Sequence, residues 1–426
     1  MSTAAAAAAT AAAPPRKRTP REIIGACALG TSLEWYDFFL YGTAAALVFR
    51  PLFFPGSDPA TGTLLAFATY GVGFIARPIG GIAFGYLGDR VGRRNVLAVT
   101  LLVMGMSTFL IGILPTHASI GTAAPVLLVV LRFVQGLSLG GEWGGAVLLS
   151  MEHSSRRHWG LAAAWVQFGV PAGNIAAVGV LAFTGLVLSD EAFATWGWRL
   201  PFLVSAALAL VGLWIRRNIA ESPMFTHQRE RPENPLSEVF RTHRRALTAS
   251  FCARIGVDVA FYIFTLHLLT HLGDEDGVGL VAVVVGSAVQ LVLVPWFGRL
   301  SDTFGRKGIA VAGAVTAAVW AWVFFPLLDT GRTGAVIAAV TVALIAHAAM
   351  YGPQAAFIAE LFPTKVRYSG TSLGYQLAGI PGGALAPIIA IVLFDWFDSS
   401  AAISLYTTAA LAVTVIGLAI APKRDL

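Results

Sequence analysis

Two acidic side chains interrupt a long apolar stretch near the start of the chain. Glu34 and Asp37 lie in the sequence LEWYDFFLYG, within a run from Ile23 to Val48 that is long enough to cross a bilayer. An ionised carboxylate near the middle of a membrane costs about 2.5–3.5 kcal/mol on insertion scales, so such residues usually have partners, a water-filled cavity or a function. At positions i and i+3 the two acids share one face of a helix, and we expect both to face a cavity.

Five more charged residues lie inside predicted apolar segments. They are three arginines and two acids, namely Arg77, Arg132, Arg254, Glu142 and Asp258. If the helices bring all these charges into one cavity, the acids outnumber the arginines. Neutrality then favours protonation of one carboxyl, because burial and a like-charged neighbour both disfavour its ionised form. A proton-coupled transporter requires at least one site that takes up and releases a proton.

Asp37 and Arg132 are predicted to lie at similar depth in the membrane, on the first and fourth helices, where they can form an ion pair. Such a pair can take part in proton coupling, or it can be a static contact that holds two helices together. Glu34 shares the face of Asp37 and is assigned to the same proton-coupling group.

The other charges are candidates for contacts with a substrate. Arg77 has no acidic neighbour within four residues of its own helix, so it can bind an anion or can extend toward the aqueous phase. Arg254 and Asp258, at i and i+4, can neutralise each other in a structural pair or can serve the substrate. Glu142 can extend a proton path or can cap a polar cluster. The predicted substrate-binding residues are Arg77, Arg254, Tyr262, Gln135 and Glu142.

The composition indicates the elements that must position these side chains. The 426 residues are 56% hydrophobic and 12% charged, against about 25% charged in soluble domains. Both cysteines fall in predicted spans, the histidines of the apolar segments lack metal-ligand spacing, and neither a nucleotide loop nor a hydrolase motif occurs. We therefore predict no metal, no cofactor, no nucleic-acid partner and no enzymatic activity.

Apolar runs bounded by charges or by Gly and Pro predict twelve membrane helices. Their expected starts are Ile23, Thr63, Asn95, Pro125, Gly160, Trp198, Ala246, Val278, Ile309, Thr333, Arg367 and Ser400. Most lysines and arginines lie in segments that this count places on one side, which predicts a cell-membrane protein with both termini cytoplasmic. The expected parts are a disordered tail at 1–20, six-helix bundles at 21–217 and 246–426, and a cytoplasmic central loop at 218–245. The predicted fold class is an all-α membrane protein of two pseudo-symmetric six-helix bundles.

The two predicted bundles repeat each other in sequence. GDRVGRRNVL from Gly88 matches SDTFGRKGIA from Ser301, and GVPAG from Gly169 matches GIPGG from Gly379. The second pair lies early in the predicted fifth and eleventh helices, where its glycines and prolines can permit bending.

These motifs resemble those of a known family. The duplicated G-D-R-x-G-R-R loop and RFVQGLSLGGEWGG from Arg132 resemble signatures of the major facilitator superfamily. SLEWYDFFLYG, ARPIGG, ESPMF and YGPQAAFIAELFPTKVRYSG are similar to its metabolite:proton symporter family, in particular the shikimate-transporter-like members. The resemblance implies the major facilitator fold and proton-coupled import of a small organic acid by a monomer that alternates its access. The alternative within the family is proton-coupled uptake of a zwitterionic osmolyte such as betaine or proline.

The resemblance also implies roles for single residues. Asp37 and Arg132 match a first-helix acid and an R-x-x-Q-G arginine that are linked to proton coupling in related transporters. The loop motif predicts a cytoplasmic gate, in which Asp89 contacts the start of the eleventh helix and Asp302 the fifth, while nearby acids pair with the motif arginines. The predicted gate residues are Asp89, Arg93, Glu152, Arg157, Asp302, Arg306, Glu360 and Arg367.

Overall fold

A computed structural model describes residues 19–91, 93–217, 235–273 and 277–422, and within these ranges it leaves the side chains at 60, 85–91, 93–97, 215–217 and 235 undescribed. The predicted tail therefore lies almost wholly outside the described residues, as does most of the predicted central loop. The predicted boundaries of the two bundles, at 217 and 246, stay predictions.

The described residues of the first half form six long helices. They are α1 (Pro20–Leu47), α2 (Pro59–Val91), α3 (Arg93–Ile113), α4 (Ala123–Glu152), α5 (Arg156–Val187) and α6 (Leu200–Arg217). Thr19 begins α1 with a capping box, in which its hydroxyl accepts from the Glu22 N–H and the Glu22 carboxylate accepts from the Thr19 N–H. Short helices at Phe49–Phe53, His117–Ile120 and Asp190–Thr195 lie between the long ones.

The second half contains six more long helices. After a short helix, Pro235–Thr242, come α7 (Arg244–Leu272), α8 (Val278–Phe304), α9 (Arg306–Leu328), α10 (Thr333–Glu360), α11 (Arg367–Phe397) and α12 (Ser400–Ile420). The starts of α8, α10, α11 and α12 coincide with the predicted ones.

Among the described residues, ten helices are long and apolar enough to cross a membrane, and Ala98–Ile113 in α3 is a shorter apolar helix. Two predicted spans are outside the ten: the third, which is α3, and the first, which is the 28-residue α1 that carries both acids. The all-helical fold class is confirmed, whereas the count of twelve crossings stays a prediction.

Four of the helices are interrupted near the middle of the molecule. Helix α4 breaks between Gly140 and Trp143, and α5 breaks at Phe168, three residues before Pro171. Helices α7 and α11 each contain one π-helical turn, at Ile263–His267 and Ile380–Ala384. Proline cannot donate the regular helical hydrogen bond, and Pro171 and Pro381 lie at the interruptions in α5 and α11, the two sites where bending was expected. Proline alone does not cause the break, because α2, α8, α9 and α10 continue through Pro78, Pro295, Pro326 and Pro353.

The described chain termini lie at one end of the molecule, which we call the terminal end. There the Arg245 Nε donates to the Ile420 carbonyl at 2.8 Å, which joins the start of α7 to the end of α12. Ile23, Trp159 and Leu418 belong to one buried apolar cluster at this end, so α1, α5 and α12 meet there as well. A second, larger buried cluster is rich in phenylalanine and tyrosine.

Helices α2 and α4 pack with their backbones in contact. A methyl group on Gly140 would overlap the Arg77 carbonyl oxygen, and one on Gly80 would overlap the Leu137 carbonyl oxygen. A methyl group on Gly136 would likewise overlap the Gly73 carbonyl oxygen. The small residues therefore allow an approach that any side chain would prevent, and they fix the two helices against each other.

Candidate functional site

A layer of aromatic rings lies where the two halves meet. Helices α1 and α2 face α7 and α11 across a layer of rings: Tyr70 and Phe74 pack on Tyr262 with ring centroids 6.1 and 5.7 Å apart, and Phe39 packs on Phe261 at 5.5 Å. On α5 and α8, the Asn174 amide donates to the Ser287 hydroxyl at 3.0 Å. Arg77 lies against this layer of rings, whereas Asp37 and Arg132 contact side chains of the first half.

Arg77 on α2 lies among aromatic rings. Its guanidinium carbon is 4.1 Å from the ring centroid of Phe38, 4.4 Å from that of Phe74 and 5.2 Å from that of Trp35. The side chain is buried, and its Nε and Nη2 have no hydrogen-bond partner among the described residues. Ring faces attract the cation, but they leave these N–H groups able to bind an anion.

Arg132 on α4 lies against a neighbouring group of rings. Its guanidinium carbon is 4.2 Å from the centroid of Phe38, 4.3 Å from that of Tyr41 and 4.7 Å from that of Tyr70. Its Nη1 donates to the Gln135 side-chain oxygen, and its Nη2 has no partner among the described residues. Gln135, one of the predicted substrate-binding residues, therefore accepts a hydrogen bond from Arg132.

The expected ion pair between Asp37 and Arg132 is absent from the described structure. The Ser205 hydroxyl donates to Asp37 Oδ1 at 2.5 Å instead. The Gln135 amide donates to the Thr108 hydroxyl at 2.7 Å, and Thr108 lies beside the Asp37 carboxyl. Gln135 and Thr108 thus lie between Arg132 and Asp37, because the rings of α1 and α2 hold the guanidinium, and the Thr108 hydroxyl itself donates to the Met104 carbonyl. Both acids of α1 are buried, Glu34 as well as Asp37.

Arg254 and Asp258 form the expected pair within α7. The Arg254 Nε donates to Asp258 Oδ2 at 2.8 Å, and Arg254 Nη1 has no partner among the described residues. The guanidinium carbon lies 3.0 Å from the ring centroid of Tyr375 on α11. Tyr375 in turn stacks on Trp143 of α4, with centroids 3.3 Å apart. A charge of the second half is therefore in contact with a stack that crosses to the first.

Tyr262 and Glu142, the other predicted substrate residues, are both buried. Tyr262 packs on Tyr70 and Phe74 and so lies beside Arg77, whereas Glu142 lies at the break in α4 next to Trp143. The structure also brings in residues that the sequence did not single out, namely Phe38, Tyr70, Phe74, Thr108, Ser205 and Trp143. The available signal was an aromatic residue three positions from a charge, as Phe74 is from Arg77.

At the terminal end, Asp302 of α8 contacts the start of α5 in the other half. Its Oδ1 accepts from the Gly160 N–H at 2.8 Å, and its Oδ2 accepts from the Leu161 N–H at 3.0 Å. A carboxylate at the first turn of a helix is stabilised by free N–H groups and by the helix dipole. The contact with the fifth helix expected from the sequence is present, although Arg157 is exposed and takes no part in it.

Arg306 extends the Asp302 contact within the second half. Its Nη1 is 2.6 Å from Asp302 Oδ1, and its Nη2 is 3.1 Å from Glu360 Oε1, the acid expected to pair with it. Arg367 donates from Nε to the Phe362 carbonyl and lies 5.5 Å from the Trp159 ring centroid on α5.

The corresponding contact in the first half is the one predicted between Asp89 and the start of the eleventh helix. The side chains of Asp89 and Arg93 lie outside the described residues, and with them the pairing expected between Arg93 and Glu152.

Comparisons with known proteins agree on one family. A profile of the Major Facilitator Superfamily matches residues 27–376. The inner membrane metabolite transport protein YhjE of Escherichia coli K12 is 38% identical over 93% of both chains, and the shikimate transporter of the same organism is 38% identical over 89% of both. The proline/betaine transporter of Salmonella typhimurium is 32% identical over 93% of this chain and 82% of its own.

A solved structure of the xylose transporter XylE from E. coli, in a partially occluded inward-open conformation, shares the fold. Its TM-score is 0.74 at 16% identity, and the match covers 94% of this chain and 98% of that one.

Proposed function

Because the chain belongs to the Major Facilitator Superfamily, it is a multi-pass membrane transporter and not an enzyme, and we propose that it is a proton-coupled symporter for a small organic acid. The shikimate transporter among its relatives supports a carboxylate substrate. In this proposal the protein works as a monomer that exposes its central site to each side of the membrane in turn.

One observation carries the assignment of an acid. Arg77 is buried between the halves, and its Nε and Nη2 have no partner among the described residues. A carboxylate presents two oxygens that match two N–H groups of one guanidinium, and such bidentate, charge-assisted bonds are strong. Arg254 Nη1, also without a described partner, can bind a second acceptor of the same substrate. The rings around Arg77 favour a substrate with an apolar face.

Asp37 is the proposed proton site. It is buried, Gln135 and Thr108 lie between it and Arg132, and within the described part of the chain no direct ion pair holds it in the ionised form. Uptake of one proton with one monoanion leaves the net charge of the interior unchanged. An inward pH gradient, and only weakly the membrane potential, then drives the proposed transport.

The Asp302 contacts close the proposed pathway at the terminal end. They join α8 to α5 of the other half, so they break when the halves separate there. We infer that this end faces the cytoplasm, because the positive-inside rule places basic loops on that side. Labelling of single cysteines at position 157 and at position 190 with an impermeant reagent in intact cells tests this orientation.

Transport in liposomes tests the proposed function. Purified protein is reconstituted, an inward pH gradient is imposed, and uptake of labelled shikimate is followed with and without a protonophore. We expect accumulation above equilibrium that the protonophore abolishes, and little uptake when a potential is imposed alone. Uptake that follows the potential, or that never exceeds equilibrium with any of a panel of carboxylates, would refute the proposed symport.

A zwitterionic osmolyte is the second candidate, and one feature favours it. The rings of Trp35, Phe38 and Phe74 contact the guanidinium of Arg77, and ring faces of this kind also bind quaternary ammonium groups. The proline/betaine transporter among the relatives supports the same assignment. Competition separates the candidates: excess betaine or proline inhibits uptake of the labelled acid only if the site takes zwitterions.

A further inference from the structure

The ring of Phe38 is shared by two arginines. The guanidinium carbons of Arg77 and Arg132 lie 4.1 and 4.2 Å from its centroid. The ring is completely buried, and among the described residues it is the one ring that both guanidinium groups contact. Phe74 and Tyr70, which pack on Phe38 with centroids 5.0 and 4.9 Å away, each contact one of the two arginines.

The shared ring stands between the two proposed sites. Arg77 is the proposed carboxylate site, whereas Arg132 leads through Gln135 and Thr108 toward Asp37, the residue before Phe38 in the sequence. Each arginine has at least one N–H group without a described partner, so the ring face supplies part of what offsets its buried charge. A change in the charge at either arginine therefore alters the interaction of the other with the same ring.

We propose that Phe38 is a positioning residue that couples substrate binding at Arg77 to protonation of Asp37, an inference that rests on the proposed symport. A carboxylate at Arg77 offsets one positive charge, which strengthens the hold of the ring on Arg132 and reduces the positive potential at Asp37. A proton then binds more readily at Asp37, and by reciprocity a protonated Asp37 favours the anion at Arg77. Phe38 keeps the guanidinium groups of Arg77 and Arg132 close to one ring, so that a change at one of them affects the other.

Substitution separates this role from simple packing. In Phe38→Leu an apolar side chain remains but the ring face is lost, whereas Phe38→Tyr keeps the ring. Phe39→Leu is the matched control, because Phe39 is equally buried and packs on Trp35 and Phe261, with no guanidinium described over its ring. The readout is the ratio of the Kd for labelled shikimate at pH 8 to that at pH 6, beside protonophore-sensitive accumulation.

We expect the wild-type protein, Phe39→Leu and Phe38→Tyr to bind the acid at least fivefold more tightly at pH 6, which is the low end of typical coupling between two sites. In Phe38→Leu the ratio should fall below twofold, and the variant should keep counterflow while it loses accumulation. An unchanged ratio in Phe38→Leu, or an equal loss in Phe39→Leu, would overturn the proposal. Absence of proton-driven uptake in the wild-type protein would instead reject the symport itself.

Fluorination of Phe38 gives a second test that does not depend on how well Phe38→Leu folds. Incorporation of mono-, di- and trifluorophenylalanine at this position reduces the negative charge of the ring face stepwise and changes its size little. The proposal requires the Kd ratio to fall with each added fluorine, whereas a ratio independent of fluorine number would show that the ring acts by packing alone. The same series at position 39 is the control and should leave the ratio constant.

Discussion

Replacement of Asp302 by asparagine should weaken the closed arrangement of the terminal end. The carboxylate accepts from the N–H groups of Gly160 and Leu161, at 2.8 and 3.0 Å, and is 2.6 Å from Arg306 Nη1. Asparagine has nearly the same size, but it is neutral and keeps only one acceptor oxygen. The substitution therefore removes the charge and at least one acceptor while it disturbs the packing little.

The size of the effect follows from these bonds. A hydrogen bond to a charged group contributes about 1.5–3 kcal/mol and a neutral one about 0.5–1.5 kcal/mol, so loss of charge from the two bonds to α5 costs roughly 2–3 kcal/mol. The side chain of Asp302 is 7% exposed, and solvent screening therefore reduces this value little. A loss of this size shifts the equilibrium between the closed and open terminal end by about 30- to 160-fold.

Distances between spin labels measure this shift. Labels at positions 157 and 304, both exposed, report on α5 and on the end of α8 in a protein without Cys27 and Cys252. We expect the population with the longer distance to rise strongly in Asp302→Asn. The control Asp190→Asn changes an exposed aspartate in the first turn of another helix, and it should leave the distribution as in the parent. Identical distributions for Asp302→Asn and the parent would refute the gate assignment.

Three further outcomes are expected. Asp37→Asn should lose protonophore-sensitive accumulation but keep counterflow of the acid, because an amide cannot release a proton; accumulation at the wild-type level would assign the proton to another group. Arg77→Lys keeps the charge but loses the paired N–H groups, and loss of one charge-assisted bond, about 1.5–3 kcal/mol, should raise the Kd of the acid roughly 10- to 150-fold in calorimetry. Gly140→Ala should lower stability by about 1–3 kcal/mol in thermal unfolding, because its methyl group meets the Arg77 carbonyl oxygen, whereas Gly179→Ala, with open space around it, should not.

The sequence was sufficient for the features that depend on local spacing. A helix that crosses a bilayer needs an apolar run of a certain length. The boundaries of such runs in the sequence therefore predicted the helix starts at Val278, Thr333 and Ser400. The Arg254–Asp258 pair follows from the i, i+4 spacing on one helix. The contact of Asp302 with the fifth helix was expected because the loop motif occurs once in each half.

The surroundings of Arg132 show where this reasoning fails. Helical rise places Arg132 and Asp37 at similar depth, but it does not determine how far each helix is rotated about its axis or which rotamer a long side chain adopts. The Arg132 guanidinium lies against the rings of Phe38, Tyr41 and Tyr70, and Asp37 accepts a hydrogen bond from Ser205. Charged groups are not the only partners of a buried cation, because the faces of aromatic rings attract it as well. The π-helical turn in α7 contains neither Gly nor Pro, and no local signal predicts it.

The glycine contacts between α2 and α4 bear on the direction of transport. Because Gly140 lies against the Arg77 carbonyl and Gly136 against Gly73, we expect these two helices to move as one piece, so that the backbones at Arg77 and Arg132 keep their separation whichever side is open. In the proposed symport, the free energy with which anion and proton favour each other is then the same on both faces of the membrane. Such a carrier has no built-in preference for import. The proposed symport is therefore reversible, and a cell that holds the proposed acid at high concentration and lacks a proton gradient would lose it through this protein.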